Sequence, residues 1–256
     1  MFPYHDENKT QQTPVVTIAI IAICVVVWIA VQGAGVEQAV AASVCNLGLI
    51  PGELTRGVPP GAGFPMGENL LCVTDPGCQT SHLITSMFLH GSWMHLLGNM
   101  WFLWLFGNNI EDSMTRLRFV AFYLLCGLAA ALLQVAADPE SAVPMVGASG
   151  AISGVMGAYL VLFPRVRVYT LIFLGFFSQT VAVPAWAMLL YWAFLQLAGG
   201  VSQIGGSEGG VAFWAHIGGF LAGALLILLF RDPALMAKRR QLLAARLWGP
   251  PEGVAR

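Results

Sequence analysis

The chain has 256 residues, 57% of them hydrophobic and only 10% charged, with a formal net charge of −1. A soluble domain carries about 25% charged residues, so 12 Lys+Arg and 13 Asp+Glu cannot cover a water-soluble fold of this length. The same balance excludes the basic face of a nucleic-acid binder and points to a multi-pass membrane protein.

A tail at 1–13 precedes the first apolar run, Pro14–Gln32. Asp6 and Glu7 stand beside a lone Lys9, so the basic flank of a signal peptide is missing and a retained span is expected. Five further runs of spanning length follow at Leu83–Phe106, Phe119–Ala137, Met145–Phe163, Pro184–Gly200 and Val211–Phe230, each near the ~20 residues that a helix needs to cross a bilayer. Val168–Phe177 is too short to cross and reads as an interfacial or re-entrant piece. The expected architecture is an all-α, six-span bundle over 14–230, with a basic tail at 231–256.

Lys and Arg near span ends stay cytoplasmic. With both termini inside, every cation except Arg56 falls on one face, including Arg116, Arg118, Arg165, Arg167 and Arg231. The first outer loop, Gly33–His82, is long and rich in Gly and Pro, and holds Cys45, Cys72 and Cys78. One disulfide, such as Cys72–Cys78, is allowed there, with the pairing left open. Cys24 and Cys126 lie in spans and pack as small apolar groups. The segment Ala234–Trp248 mixes Lys238, Arg239, Arg240 and Arg246 with leucines, which suits either a helix on the inner leaflet or a solvated tail.

No Asp, Glu, Lys or Arg lies inside any expected span. This speaks against proton-coupled transport, a charge-lined pore and a metalloprotease. The polar residues that remain are His90, His95 and Asn99 in the second span, Ser149 in Gly147-Ala148-Ser149-Gly150 of the fourth, and His216 in the sixth. Singly, each has a plain structural explanation as a helix-packing or hydrogen-bonding group.

Together they make a chemical pattern. Ser149 and His216 sit at matching depth near the outer ends of their spans. Small residues at Ser149, Ser153 and Gly157, and at Ala215, Gly219 and Gly223, allow the two helices to approach closely. A hydroxyl could then reach an imidazole and act as a nucleophile, in a dyad without an acid. His95 and Asn99, four apart on one helical face, and the Ser149 backbone N–H could stabilise an oxyanion.

These residues resemble the rhomboid intramembrane serine proteases from about His82 to Phe230. The likeness rests on His90-x4-His95-x3-Asn99, Gly147-Ala148-Ser149-Gly150 and Ala215-His216-x2-Gly219-x3-Gly223, with Gly107 and Glu111 also in pattern. It implies Ser149 as nucleophile, His216 as base and then acid, and His95, Asn99 and Ser149 as the oxyanion hole. His90, Gly147, Gly150, Gly219 and Gly223 would support the site structurally. The first loop lacks the Trp-Arg pair of some members. Ser153 stands where some have a tyrosine, and competes weakly as nucleophile.

The expected function is cleavage of transmembrane-protein substrates near the outer membrane face, with no metal or cofactor. The compact layout suggests a bacterial inner membrane, and the oligomeric state is left open. The alternatives are a transporter or channel, and a non-catalytic binder on the same fold. A metal site of His82, His90, His95 and His216 is disfavoured, since two residues five apart on one helix diverge by ~140°.

Overall fold

The computed structural model describes residues 2–67, 70–75, 77, 79–174, 177–202 and 211–248, with the side chains of 173, 174 and 243–248 left aside. Glu68, Cys78, Glu208 and Arg256, and the Arg246 side chain, lie outside the described parts. Strand β1 (Phe2–Asp6) leads to helix α1 (Val15–Ala30). The long segment after α1 carries α2 (Glu37–Leu47) and an antiparallel hairpin, β2 (Gly63–Gly67) with β3 (Leu70–Val73). Then come α3 (Trp93–Phe102), α4 (Arg116–Ala137) and α5 (Ser149–Leu162). A second hairpin, β4 (Arg167–Leu174) with β5 (Phe177–Pro184), precedes α6 (Ala185–Ser202), α7 (Phe213–Phe230) and α8 (Pro233–Trp248).

Among the described residues, three helices are long and apolar enough to cross a membrane: α4 with 22 residues, and α6 and α7 with 18 each. The apolar helices α1 and α5 are shorter. Outward-facing Ile23, Val26, Leu132, Leu221, Leu225 and Leu229 remain exposed, as side chains that meet lipid instead of water do. Trp28, Phe106, Phe119, Phe122, Tyr123 and Tyr159 fill the centre.

The expected second span is not one helix. A short helix, His82–Thr85, and a 3-10 turn, Ser86–Phe88, end before Leu89, and α3 begins only at Trp93. Ser92 starts it by accepting the His95 backbone N–H at 3.1 Å, as an N-cap does. A π-helical turn, Leu103–Gly107, then carries the helix into Asn108–Glu111. His90 therefore precedes the helix that holds His95. Their rings meet edge-on with centroids 5.2 Å apart, so the 140° divergence assumed from a continuous helix does not apply.

The all-α expectation needs a second correction. β1, β4 and β5 form an antiparallel sheet in the order β1-β4-β5, with Phe2 opposite Leu171 and Asp6 opposite Val168. Val168–Phe177 is thus mostly strand. Its β-branched and aromatic residues alternate, with Val168 and Thr170 fully buried, a pattern suited to a half-buried sheet. Between α1 and α3 a disulfide joins Cys45 to Cys72. Cys72 is thereby engaged, and the Cys72–Cys78 bridge allowed by the sequence does not form.

The tail does not follow either reading of its composition at Arg239. That side chain is buried and donates to Asn8 Oδ1 at 2.6 Å and Asn109 Oδ1 at 2.7 Å, with Asp112 Oδ2 3.4 Å away. It lies 4.6 Å from the Phe163 ring centroid. The helix α8 docks back on the protein through this arginine and through Met236, which packs against the core, while Lys238 and Arg240 stay exposed.

Candidate active site

α5 packs more extensively against α7 than any other pair of elements does. A β-carbon on Gly219 would collide with the Gly150 carbonyl, one on Gly223 with the Gly154 carbonyl, and one on Gly157 with the Phe220 carbonyl. The backbones can come this close only because those positions lack side chains. Ser149, the first residue of α5, and His216, in the first turn of α7, are thereby brought face to face. Ser149 Oγ lies 2.8 Å from His216 Nε2.

Gly147 adopts φ +126°, which glycine tolerates and other residues rarely do. This turn, with the Gly147 N–H donating to the Ser86 carbonyl at 2.9 Å, aims the chain so that α5 starts at Ser149. The first backbone N–H groups of a helix have no intrahelical acceptor. The Ser149 backbone N–H is among these, at the end of α5 that carries the hydroxyl.

His95 and Asn99 line that space from α3. The Gly91 N–H donates to His95 Nδ1 at 3.3 Å, so the neutral ring carries its proton on Nε2 as a donor. A β-carbon on Gly147 would stand 2.8 Å from that Nε2 and 3.6 Å from Asn99 Nδ2. The Asn99 Nδ2 is buried and has no hydrogen-bond partner among the described residues. Both side chains thus bring N–H groups to the turn at Gly147, two residues before the serine. His90 is fully buried behind them; its backbone N–H and C=O are both bonded to the Gln32 side-chain amide at 2.8 Å.

Ser149, His216, His95 and Asn99 line one cavity of about 1160 Å³. Ser149, His216 and His95 are half-buried, so solvent reaches the pair. Ser153 is set apart from this chemistry. Its hydroxyl donates to the Ser149 carbonyl one turn back, at 2.6 Å, and the residue is 1% exposed.

Three residues near the site lie outside the sequence motifs. Gln196 Oε1 lies 2.7 Å from His216 Nδ1, and Trp192 leans on the His216 ring at a centroid distance of 5.9 Å. Gln134 Oε1 accepts the Ala215 N–H at 3.2 Å. Both glutamines were detectable as side-chain amides inside apolar runs, but neither belongs to the motifs that drew attention. Glu111 acts structurally, away from the cavity. Its carboxylate accepts the Val16 and Thr17 backbone N–H groups at 2.9 and 2.8 Å, capping α1.

A sequence model of the family described as Rhomboid domain matches residues 77–233. The chain is 28% identical over 170 residues to Rhomboid protein 1, mitochondrial, of Saccharomyces cerevisiae, covering 65% of this chain and 46% of that protein. It is 30% identical over 152 residues to RHOMBOID-like protein 5 of Arabidopsis thaliana, covering 58% and 44%. Identity to Presenilin-associated rhomboid-like protein, mitochondrial, of Mus musculus is 29% over 189 residues, covering 68% and 45%. The chain spans less than half the length of these relatives.

Proposed function

The chain belongs to the rhomboid family, and on that premise we propose that it is a membrane-embedded serine endopeptidase working through a Ser149–His216 dyad. The observation that carries this reading is the 2.8 Å contact between Ser149 Oγ and His216 Nε2 in an open cavity. Ser149 Oγ attacks the scissile carbonyl while His216 Nε2 takes its proton. The tetrahedral oxyanion is held by His95 Nε2–H, Asn99 Nδ2–H and the Ser149 backbone N–H. His216 then gives the proton to the leaving amine, leaving an acyl-serine. Water, deprotonated by the same nitrogen, releases the new carboxylate and restores the hydroxyl.

Six spans complete the proposal: α1, α3 with its continuation, α4, α5, α6 and α7. With 14 residues, α5 is ~21 Å long at ~1.5 Å per residue, well short of a ~30 Å hydrocarbon core. Its Ser149 end therefore lies below the outer boundary, at the floor of a cavity that water can fill. The substrate is a transmembrane segment that unwinds locally, because a helix hides its carbonyls in its own hydrogen bonds. The yeast and mouse relatives are named as mitochondrial, which does not favour the bacterial location suggested by the layout; the proposal specifies a bilayer and no particular organelle or cell.

Ser149→Ala is expected to abolish cleavage of a reporter with a transmembrane segment, by ~10³-fold or more, together with labelling by a fluorophosphonate, at unchanged expression. Cleavage that survives the substitution rejects the dyad. Solute flux without labelling would favour a transporter instead.

A further inference from the structure

We infer that Gln196 is a positioning residue for His216, setting the imidazole tautomer that lets it act as base. The inference rests on the serine-protease reading above and extends it to a third side chain. A neutral imidazole carries a single N–H. To accept the Ser149 proton, Nε2 must present its lone pair, so the hydrogen has to reside on Nδ1. An Nδ1–H inside a membrane protein needs an acceptor, and Gln196 Oε1 lies 2.7 Å away. Once Nε2 is protonated, the same contact becomes a hydrogen bond from a cation to a carbonyl oxygen, which is stronger than its neutral form. Gln196 thus favours both the reactive tautomer and the imidazolium that forms during attack.

The helix α6 supplies a second restraint from the same face. Trp192 lies one turn before Gln196, and residues four apart on a helix sit one above the other. Its ring is tilted 41° to that of His216 and also packs on Phe220 with centroids 5.9 Å apart. The tryptophan limits ring rotation while the amide selects the proton's place. Gln196 is the one side-chain amide in α6, whose other exposed faces carry Leu190, Phe194, Leu195 and Leu197. An amide that served only to glue helices together would hold α6 to α7 but would leave turnover of bound substrate untouched.

The test separates these roles with purified full-length protein in bilayers and a transmembrane reporter. Gln196→Leu is expected to lower kcat by about 10- to 100-fold, with KM changed less than ~2-fold and fluorophosphonate labelling slowed in the same ratio as kcat. Gln196→Glu keeps an acceptor oxygen and is expected to return kcat to within about 3-fold of the parent. Should the leucine variant fail to fold, as judged by its melting temperature, Gln196→Met takes its place. A parental kcat in the apolar variant overturns the inference, and so does an equal loss of kcat in Gln196→Glu. If the parent protein neither labels nor cleaves and matches Ser149→Ala, the dyad itself fails, an outcome distinct from the other two.

Discussion

Glu111 supports α1 from a distance in sequence. Nothing local caps that helix: Pro14 stands at its N-cap and makes no side-chain hydrogen bond. The Glu111 carboxylate, buried and far along the chain, takes the N–H groups of Val16 and Thr17 and the Thr17 hydroxyl. Negative charge at a helix N-terminus is favoured by the dipole as well as by these bonds. Glu111→Ala leaves buried donors unpaired and is expected to cost about 1–3 kcal/mol, read as a lowered melting temperature in detergent, with Glu111→Gln milder. An unchanged melting temperature in Glu111→Ala would remove this role. Glu111 was legible only as a position that fits a pattern, because its partner lies 94 residues away. His216 shows the same limit: its serine was predictable from depth and small residues, its glutamine was not.

At the scale of elements, the α5–α7 crossing depends on absent side chains. Gly219→Val would drive a branched side chain into the Gly150 carbonyl, one residue from Ser149. Overpacking of this kind costs typically about 1–3 kcal/mol. Here it would also separate Ser149 from His216, so activity is expected to fall by more than the melting temperature implies. A Gly219→Val protein with full activity would show that the close crossing is dispensable. The crossing was readable in the spacing of small residues, since that spacing is itself the cause of close approach. The break at Leu89–Ser92 was not. Hydropathy averaged over a window is high whether an apolar stretch is helical or extended, and only the Ser92 cap marks where α3 begins.

For the molecule as a whole, the segment around β1 meets α8 at Arg239. Asp6 Oδ2 accepts the Tyr159 hydroxyl at 2.6 Å and Asn109 Nδ2 at 3.0 Å, beside the residues that hold Arg239. Burial raises the Asp6 carboxyl above its ordinary range, more than the hydrogen bond from Tyr159 lowers it. A carboxyl raised on folding binds its proton more tightly in the folded state. Its stabilising contribution is therefore complete below the unfolded value of 3.8 and is lost as pH climbs through the higher folded value. The melting temperature of the parent, relative to Asp6→Asn, is expected to fall from about pH 4 upward and then level off. A difference that rises with pH would contradict this.

The amino-acid order alone determined the membrane class and the apolar segments, and it put Ser149 and His216 where two touching helices could bring them together. Each of these follows from quantities summed along one helix: hydropathy, depth from an end, and the spacing of small residues. Tertiary structure decided the Cys45–Cys72 bridge, the sheet that joins the N-terminal strand to the second hairpin, the docking of Arg239 and the Gln196 contact to His216. Those depend on how far each helix is rotated and offset against its neighbours. The packing of the whole bundle sets such rotations and offsets, and no single segment carries them.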